Sequence, residues 1–215
     1  MSPFYLEFLI DFGFAMSFSE YNSLPAVLKE FSLHYQEKAL EDYLAIQAPI
    51  NLKEEIAFNL TELAYDGSEA IVCETLIFPV LKAAWKPFTK ELMLWSHQAI
   101  ELNSKLSGIP DYLFSKQSEL GKIVMDKPFV AVVEAKKDDF SGGWGQCAAE
   151  MYAASQINDN LEIPIFGIVT NGRFWEFSCL HQAVFYKYQQ SGNINNLDEL
   201  FSVLTHILTI CKSQF

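Results

Sequence analysis

The sequence predicts an α/β protein in which a mixed β-sheet is flanked by helices. Three strand-like runs, at residues 92–102, 108–115 and 129–136, follow one another along the chain. An alanine-rich helical stretch at residues 144–157 comes next, and residues 163–170 form another buried strand-like run. Strands and helices in this order favour one sheet with helices packed on it.

Length and composition favour a single globular unit. The chain has 215 residues, of which half are hydrophobic and a fifth are charged. A chain of this length can bury a sizeable core, and this composition makes disorder implausible. No internal repeat or low-complexity linker divides the sequence.

Residues 1–67 are expected to form a helical extension packed on the core. Helical patterns cover residues 24–33 and 34–46, and residues 56–64 alternate weakly, which indicates a strand or an edge hairpin. Nothing in this third of the chain suggests a catalytic motif.

Residues 68–215 are expected to form the core domain. Apolar positions at helical spacing predict a helix over residues 69–85, which Pro79 should kink or divide. Asn171-Gly172 is a strong hairpin signal. The other predicted elements are strands at 174–179 and 184–188 and an amphipathic helix at 196–212.

The formal charge of −12 argues against a protein that coats nucleic acid nonspecifically. Residues 82–137 are the exception, with nine lysines against six acidic residues. Local potential matters more than the whole-chain sum for binding a polyanion. These lysines would equally be explained as solvated faces. Arg173 is the only arginine, which leaves no set of arginines to clamp phosphates.

The sequence predicts a cytoplasmic protein without membrane association. Residues 1–18 are apolar, but they lack a basic leader, and Glu7 and Asp11 interrupt them, so we do not expect a signal peptide. The four cysteines are widely spaced and form no C-x-x-C pair, which is typical of reduced, buried thiols.

A candidate site lies at the end of the predicted strand 129–136. Side chains alternate along a strand, so Glu134 and Lys136 point to the same side. Asp111 follows Pro110 in the preceding strand, and antiparallel pairing would bring its carboxylate beside Glu134. Two carboxylates near a lysine suit Mg²⁺, which would lower the pKa of a bound water. Without Asp111, a plain ion pair at a strand end would explain the two charges better.

The pattern Pro110-Asp111 followed by Glu134-Ala135-Lys136 resembles the motif of the PD-(D/E)XK nuclease superfamily. That superfamily has the restriction-endonuclease-like fold, whose core order is similar to the order predicted above. Residues 170–175 are similar to a hairpin of the N-terminal nuclease domains of type I restriction subunits and their stand-alone relatives. The resemblance covers roughly residues 68–180.

By this resemblance, Asp111 and Glu134 would bind the metal and Lys136 would assist hydrolysis. Many members of the superfamily also use a glutamate of the first core helix. Glu74 is the candidate for this catalytic and metal-binding role, and Glu69 is the alternative.

Two residues of the predicted helix 144–157 are further candidates. The resemblance implies that Gln146, at the start of this helix, points back toward Lys136 as part of the catalytic set, although it would equally serve to cap a loop. Glu150 lies one turn later and either supports the site from behind or is solvated. The four histidines are scattered singly, and none is predicted to be a ligand.

The resemblance implies an endonuclease that hydrolyses DNA phosphodiester bonds with Mg²⁺ or Mn²⁺. The alternative is an inactive module of the same fold that binds nucleic acid or another protein. A third explanation is a structural α/β protein whose charges merely pair. DNA is the expected partner, and a homodimer is left open.

Overall fold

A computed structural model describes residues 17–215, and a mixed β-sheet forms their centre. The described residues form the strands β1 His34–Lys38, β2 Leu92–Ser96, β3 Ile100–Asn103, β4 Leu106–Gly108, β5 Tyr112–Lys116, β6 Phe129–Ala135, β7 Ile165–Thr170, β8 Phe174–His181 and β9 Val184–Asn193. Seven of them make one sheet in the order β1-β9-β8-β7-β6-β5-β2, and β3 pairs with β4 in a separate ribbon.

Helices cover both faces of this sheet. The described residues form the α-helices α1 Leu24–Glu30, α2 Ile50–Glu62, α3 Glu69–Val72, α4 Phe78–Trp85, α5 Phe140–Ile157 and α6 Leu197–Lys212. A π-helical turn, Cys73–Ile77, joins α3 to α4. The predicted α/β class with a mixed central sheet is confirmed.

The centre of the sheet explains why its strands are continuous apolar runs. Every residue of β6 and β7 is buried, because helices cover both faces there. The two strands run parallel and α5 connects them, whereas β2, β5 and β6 pair antiparallel.

Two apolar layers hold the helices on the sheet. One cluster joins α4, the π-turn and α6 to one face, and the other joins α1 and α5 to the opposite face. Gly145 lets α5 approach the chain before α1, because a Cβ there would overlap the backbone of Tyr21 and Ser23. Small residues in α5 therefore set how closely this helix packs.

The N-terminal third differs from the prediction. The predicted helix 24–33 is α1, but a helix over 34–46 is wrong: His34–Lys38 is β1, which pairs in parallel with β9. The free edge of β9 offers hydrogen-bond partners to the backbone of residues 34–38. These five residues are exposed, and their weak helical pattern does not oppose this pairing. Residues 17–67 are therefore not a purely helical extension, and residues 1–16 of that prediction lie outside the described residues.

The predicted strand or hairpin at 56–64 is also wrong, because α2 spans Ile50–Glu62. Its buried residues Leu52, Ile56 and Asn59 are spaced three and four apart, as the inner stripe of a helix should be. Residues 56–64, whose weak alternation indicated a strand, are mostly exposed, so their pattern does not report a buried face.

Three core elements differ in detail. The predicted strand 92–102 is divided into β2 and β3 at His97, which has a positive φ of 51°. The predicted run 108–115 begins at Tyr112, since Gly108 belongs to β4. Pro79 divides the helix as expected, and the division takes the form of the π-turn before α4. Helix α5 begins at Phe140, and the carboxylate of Asp139 accepts the amide N–H of Gly142 at 2.9 Å.

The four cysteines are all buried and free, as predicted. Among residues 17–215, no helix combines the length and apolar character needed to cross a membrane.

Candidate functional site

Asp111 and Glu134 face each other where β6 ends and α5 begins. Tyr112 of β5 pairs with Val133 of β6 in an antiparallel register. One further step along this register places Asp111 opposite Glu134, on the face covered by α5. Sheet register therefore brings together two carboxylates that are 23 residues apart in the sequence.

Asp111 is held in place by its own carboxylate. Oδ2 accepts the backbone N–H of Ala135 at 2.8 Å, and Oδ1 lies 3.5 Å from Nε2 of His97. Burial raises the pKa of Asp111, while the Ala135 amide and the charge of Lys136 oppose the increase. Oδ2 of Asp111 is thus hydrogen-bonded to the end of β6, whereas Oδ1 has only the longer contact with His97.

Glu134 is an ion-paired carboxylate in the interior. Only 1% of the residue is exposed, and Oε1 lies 2.7 Å from Nζ of Lys136. Its Oε2 is buried and has no hydrogen-bond partner in the described structure. Burial first, and then the negative charge of Asp111, raise the pKa of Glu134 to about 8. A proton or a cation would relieve this crowding of negative charge.

Lys136 is a cation in this arrangement. Burial would lower its pKa, but the charge of Glu134 and the hydrogen bond to it raise the pKa above the ordinary value of 10.5. A protonated amine donates hydrogen bonds and stabilises negative charge, and it cannot take a proton from water. Gly143 of α5 makes room for the side chain, since a Cβ there would lie 2.8 Å from Cγ of Lys136.

Glu150 forms a second buried carboxylate behind the site. It is fully buried on α5, and its Oε1 accepts a hydrogen bond from Nε2 of Gln146 at 3.2 Å. Its Oε2 has no partner in the described structure. Burial and then the charge of Glu134 raise the pKa of Glu150 well above its ordinary value. Because Lys136 pairs directly with Glu134, Glu134 loses its proton at a lower pH than Glu150 does.

Of the two alternatives for Glu150, the solvated one is wrong, because the residue is fully buried. A signal for its burial was present in the sequence, because alanine, cysteine and methionine surround it along α5. Gln146 lies in the second turn of α5, because this helix begins at Phe140. Its side-chain amide bonds Glu150, so any effect on Lys136 passes through Glu150 and Glu134.

The two candidate glutamates of the first core helix lie in different places. Oε1 of Glu69 is 3.4 Å from the backbone nitrogen of Lys137, and the charge of Glu69 raises the pKa values of Asp111 and Glu134. Glu74 lies on the π-turn and lines a neighbouring pocket. The charge of Glu69 therefore acts on Asp111 and Glu134 more strongly than the charge of Glu74 does.

His97 is a neighbour of the site that the sequence did not predict. Ser96 pairs with Tyr112 across β2 and β5, so the next residue on each side brings His97 to Asp111. The backbone N–H of His97 donates to the carbonyl of Asp111 at 3.0 Å, and Ser96 Oγ lies 2.9 Å from its Nδ1. No local pattern signals this contact, since it depends on the register of two strands.

The donor set suits a hard cation in type. Asp111 and Glu134 offer carboxylate oxygens, and the buried Oε2 of Glu134 has no hydrogen-bond partner in the described structure. Over residues 17–215, however, no group of three or more His, Cys, Asp or Glu side chains is arranged to hold a metal ion. Lys136 already pairs with the other oxygen of Glu134. The arrangement thus offers two carboxylates, and a full ligand set would need further oxygens.

No protein-family model matches this chain, and no curated protein sequence is significantly similar to it. The resemblance to the PD-(D/E)XK superfamily stays a prediction.

Proposed function

We propose that this protein is a metal-dependent endonuclease that hydrolyses DNA phosphodiester bonds. One observation carries the proposal: Asp111 and Glu134 lie opposite each other in register, and Lys136 bonds Glu134 from the same face. The motif names these residues by their order in the chain, whereas their proximity depends on how two strands pair, and this proximity supports the proposal.

Asp111 and Oε2 of Glu134 would hold Mg²⁺ or Mn²⁺, and the bound ion would act as a Lewis acid and lower the pKa of a water. Glu69, rather than Glu74, would be the acidic residue of the first core helix, because its charge acts on both carboxylates. Lys136 would bind a phosphate oxygen and stabilise the negative charge that develops there.

Residues behind the site would fix the position of Glu134. Gln146 bonds Glu150, and a protonated Glu150 adds no second negative charge beside Glu134. Gly143 allows Lys136 to lie between α5 and β6. Asp111 keeps its orientation through the Ala135 amide. These contacts would hold the charged groups within the narrow geometry that hydrolysis needs.

A second candidate function is a catalytically silent module that binds nucleic acid or protein. The ion pair between Lys136 and Glu134 favours it, because a closed pair of this kind is also a stable structural element. The net charge of −12 favours the protein-binding form of this module, because net negative charge weakens the attraction to a nucleic acid.

Cleavage of supercoiled and linear DNA by the purified chain, with Mg²⁺, Mn²⁺ or EDTA, tests the proposal. We expect cleavage only with the metals. Asp111→Asn, Glu134→Gln and Lys136→Ala should each reduce the rate by roughly 100-fold or more, since each removes a charge from the reacting centre.

Lys29→Ala is the matched control, because Lys29 is an exposed lysine of α1. It should leave the rate unchanged. Cleavage that persists in EDTA would contradict the metal role. Metal-independent DNA binding without cleavage, unchanged by Lys136→Ala, would establish the silent module instead.

A further inference from the structure

The pocket that Glu74 lines opens next to Asp111, between the π-turn and the end of β2. Its volume is about 440 Å³, which is within the range of pockets that bind small organic groups. Glu74, Phe78, Ser96, His97 and Tyr112 line it. The roles proposed above leave this pocket unused.

The walls of the pocket are aromatic and firmly placed. The ring of Tyr112 packs against Phe78, at 6.0 Å and nearly parallel, and against His97, at 5.9 Å and edge-on. Tyr112 is buried, and its hydroxyl donates to the carbonyl of Cys73 at 3.2 Å. Phe78 is only partly buried and so presents part of its ring to the opening. Such a ring is a surface on which a flat heterocycle can stack.

The polar groups of the pocket complement a hydrogen-bond donor. The carboxylate of Glu74 is exposed and makes no hydrogen bond or ion pair with any described residue. A carboxylate accepts from an exocyclic amino group, as it does in contacts to N4 of cytosine. Nζ of Lys82 lies over the Phe78 ring, 5.4 Å from its centre. A base that stacks on this ring displaces the flexible ammonium group, which can then contact the adjoining phosphate.

His97 connects the pocket to the proposed site. It lines the pocket, and its Nε2 lies 3.5 Å from Oδ1 of Asp111. A group bound in the pocket would therefore lie one residue away from the carboxylates. With one arginine and a charge of −12, the chain has little capacity to hold DNA through phosphates alone. Stacking on an aromatic side chain adds affinity that depends less on salt.

We propose that this pocket binds an unpaired nucleobase that carries an exocyclic amino group, next to the phosphate that Lys136 and the metal ion would bind. The inference rests on the proposed function for its substrate class. Phe78 provides the stacking surface, Glu74 accepts from the amino group, and Lys82 contacts the adjoining phosphate.

Binding of fluorescein-labelled dC10 and dT10 to the full chain, followed by anisotropy in EDTA and 0.3 M NaCl, tests the pocket without cleavage. We expect dC10 to bind more tightly than dT10. Phe78→Leu keeps an apolar side chain but removes the ring, and it should weaken binding of both by about tenfold. Glu74→Gln should abolish the preference for dC10.

Phe58→Leu is the matched control, since Phe58 is an exposed aromatic residue of α2, and it should bind like the wild type. Equal binding by Phe78→Leu and Phe58→Leu, or no binding of either oligonucleotide, would overturn the pocket. Metal-dependent cleavage that survives alongside that result would leave the nuclease proposal intact. Ring-dependent binding by a protein that never cleaves DNA would support the pocket and refute only the nuclease.

Discussion

Replacing Glu150 with glutamine should stabilise the protein, and the gain should increase as the pH rises from 5 to 8. Glu150 is fully buried, and burial and the charge of Glu134 raise its pKa well above 4.5. In the unfolded chain this carboxyl ionises near its ordinary pKa. Between the two pKa values the folded state binds more protons than the unfolded state, so stability falls as the pH rises.

The size of this effect follows from the linkage between protonation and folding. For each carboxyl that stays protonated in the folded state, the free energy of unfolding falls by about 1.4 kcal/mol per pH unit above its unfolded pKa. Glutamine at position 150 has no proton to lose, and its side-chain oxygen can still accept the hydrogen bond from Gln146. The advantage of Glu150→Gln over the wild type should therefore be roughly 2 to 4 kcal/mol larger at pH 8 than at pH 5.

Urea unfolding at pH 5, 6, 7 and 8, with EDTA present throughout, measures this difference. Glu55→Gln is the control, because Glu55 is an exposed carboxylate of α2. Its stability difference from the wild type should stay constant with pH. A constant difference for Glu150→Gln as well, or a loss of stability at pH 8, would refute the inference that Glu150 holds a proton.

Two further predictions concern packing. Lys187→Met should lower the free energy of unfolding by about 0.5 to 1 kcal/mol in urea titration, because Glu176 loses the cation that lies 2.7 Å from its Oε2, while its 38% exposed side chain remains partly screened by water. An unchanged or increased free energy of unfolding would show that the pair contributes nothing. Gly145→Ala should cost about 1 to 3 kcal/mol through overlap with the backbone of Tyr21. Its thermal midpoint should drop well below that of Gly67→Ala, where the added Cβ meets an ordinary contact of 3.4 Å; equal midpoints would contradict the close approach.

The N-terminal third shows where local pattern was insufficient. Residues 34–38 are all exposed, so no buried stripe marks them as helix or strand. They form β1 because β9 pairs with β8 along one edge only and offers its other edge, which is a property of the assembled sheet. Helix α2 was mistaken for a strand because only three of its residues are buried.

The sequence by itself determined the central strands and the chemistry at the end of β6. A continuous apolar run must be covered on both faces, and alternation places Glu134 and Lys136 on one side, since both rules act within a few residues. The sequence also suggested Asp111 as their partner, on the condition that the two strands pair antiparallel, and the register of β5 and β6 meets that condition. Only the tertiary structure decided that His97 lies beside Asp111 and that Glu150 is buried, because strand register and the packing of α5 join residues far apart in the chain.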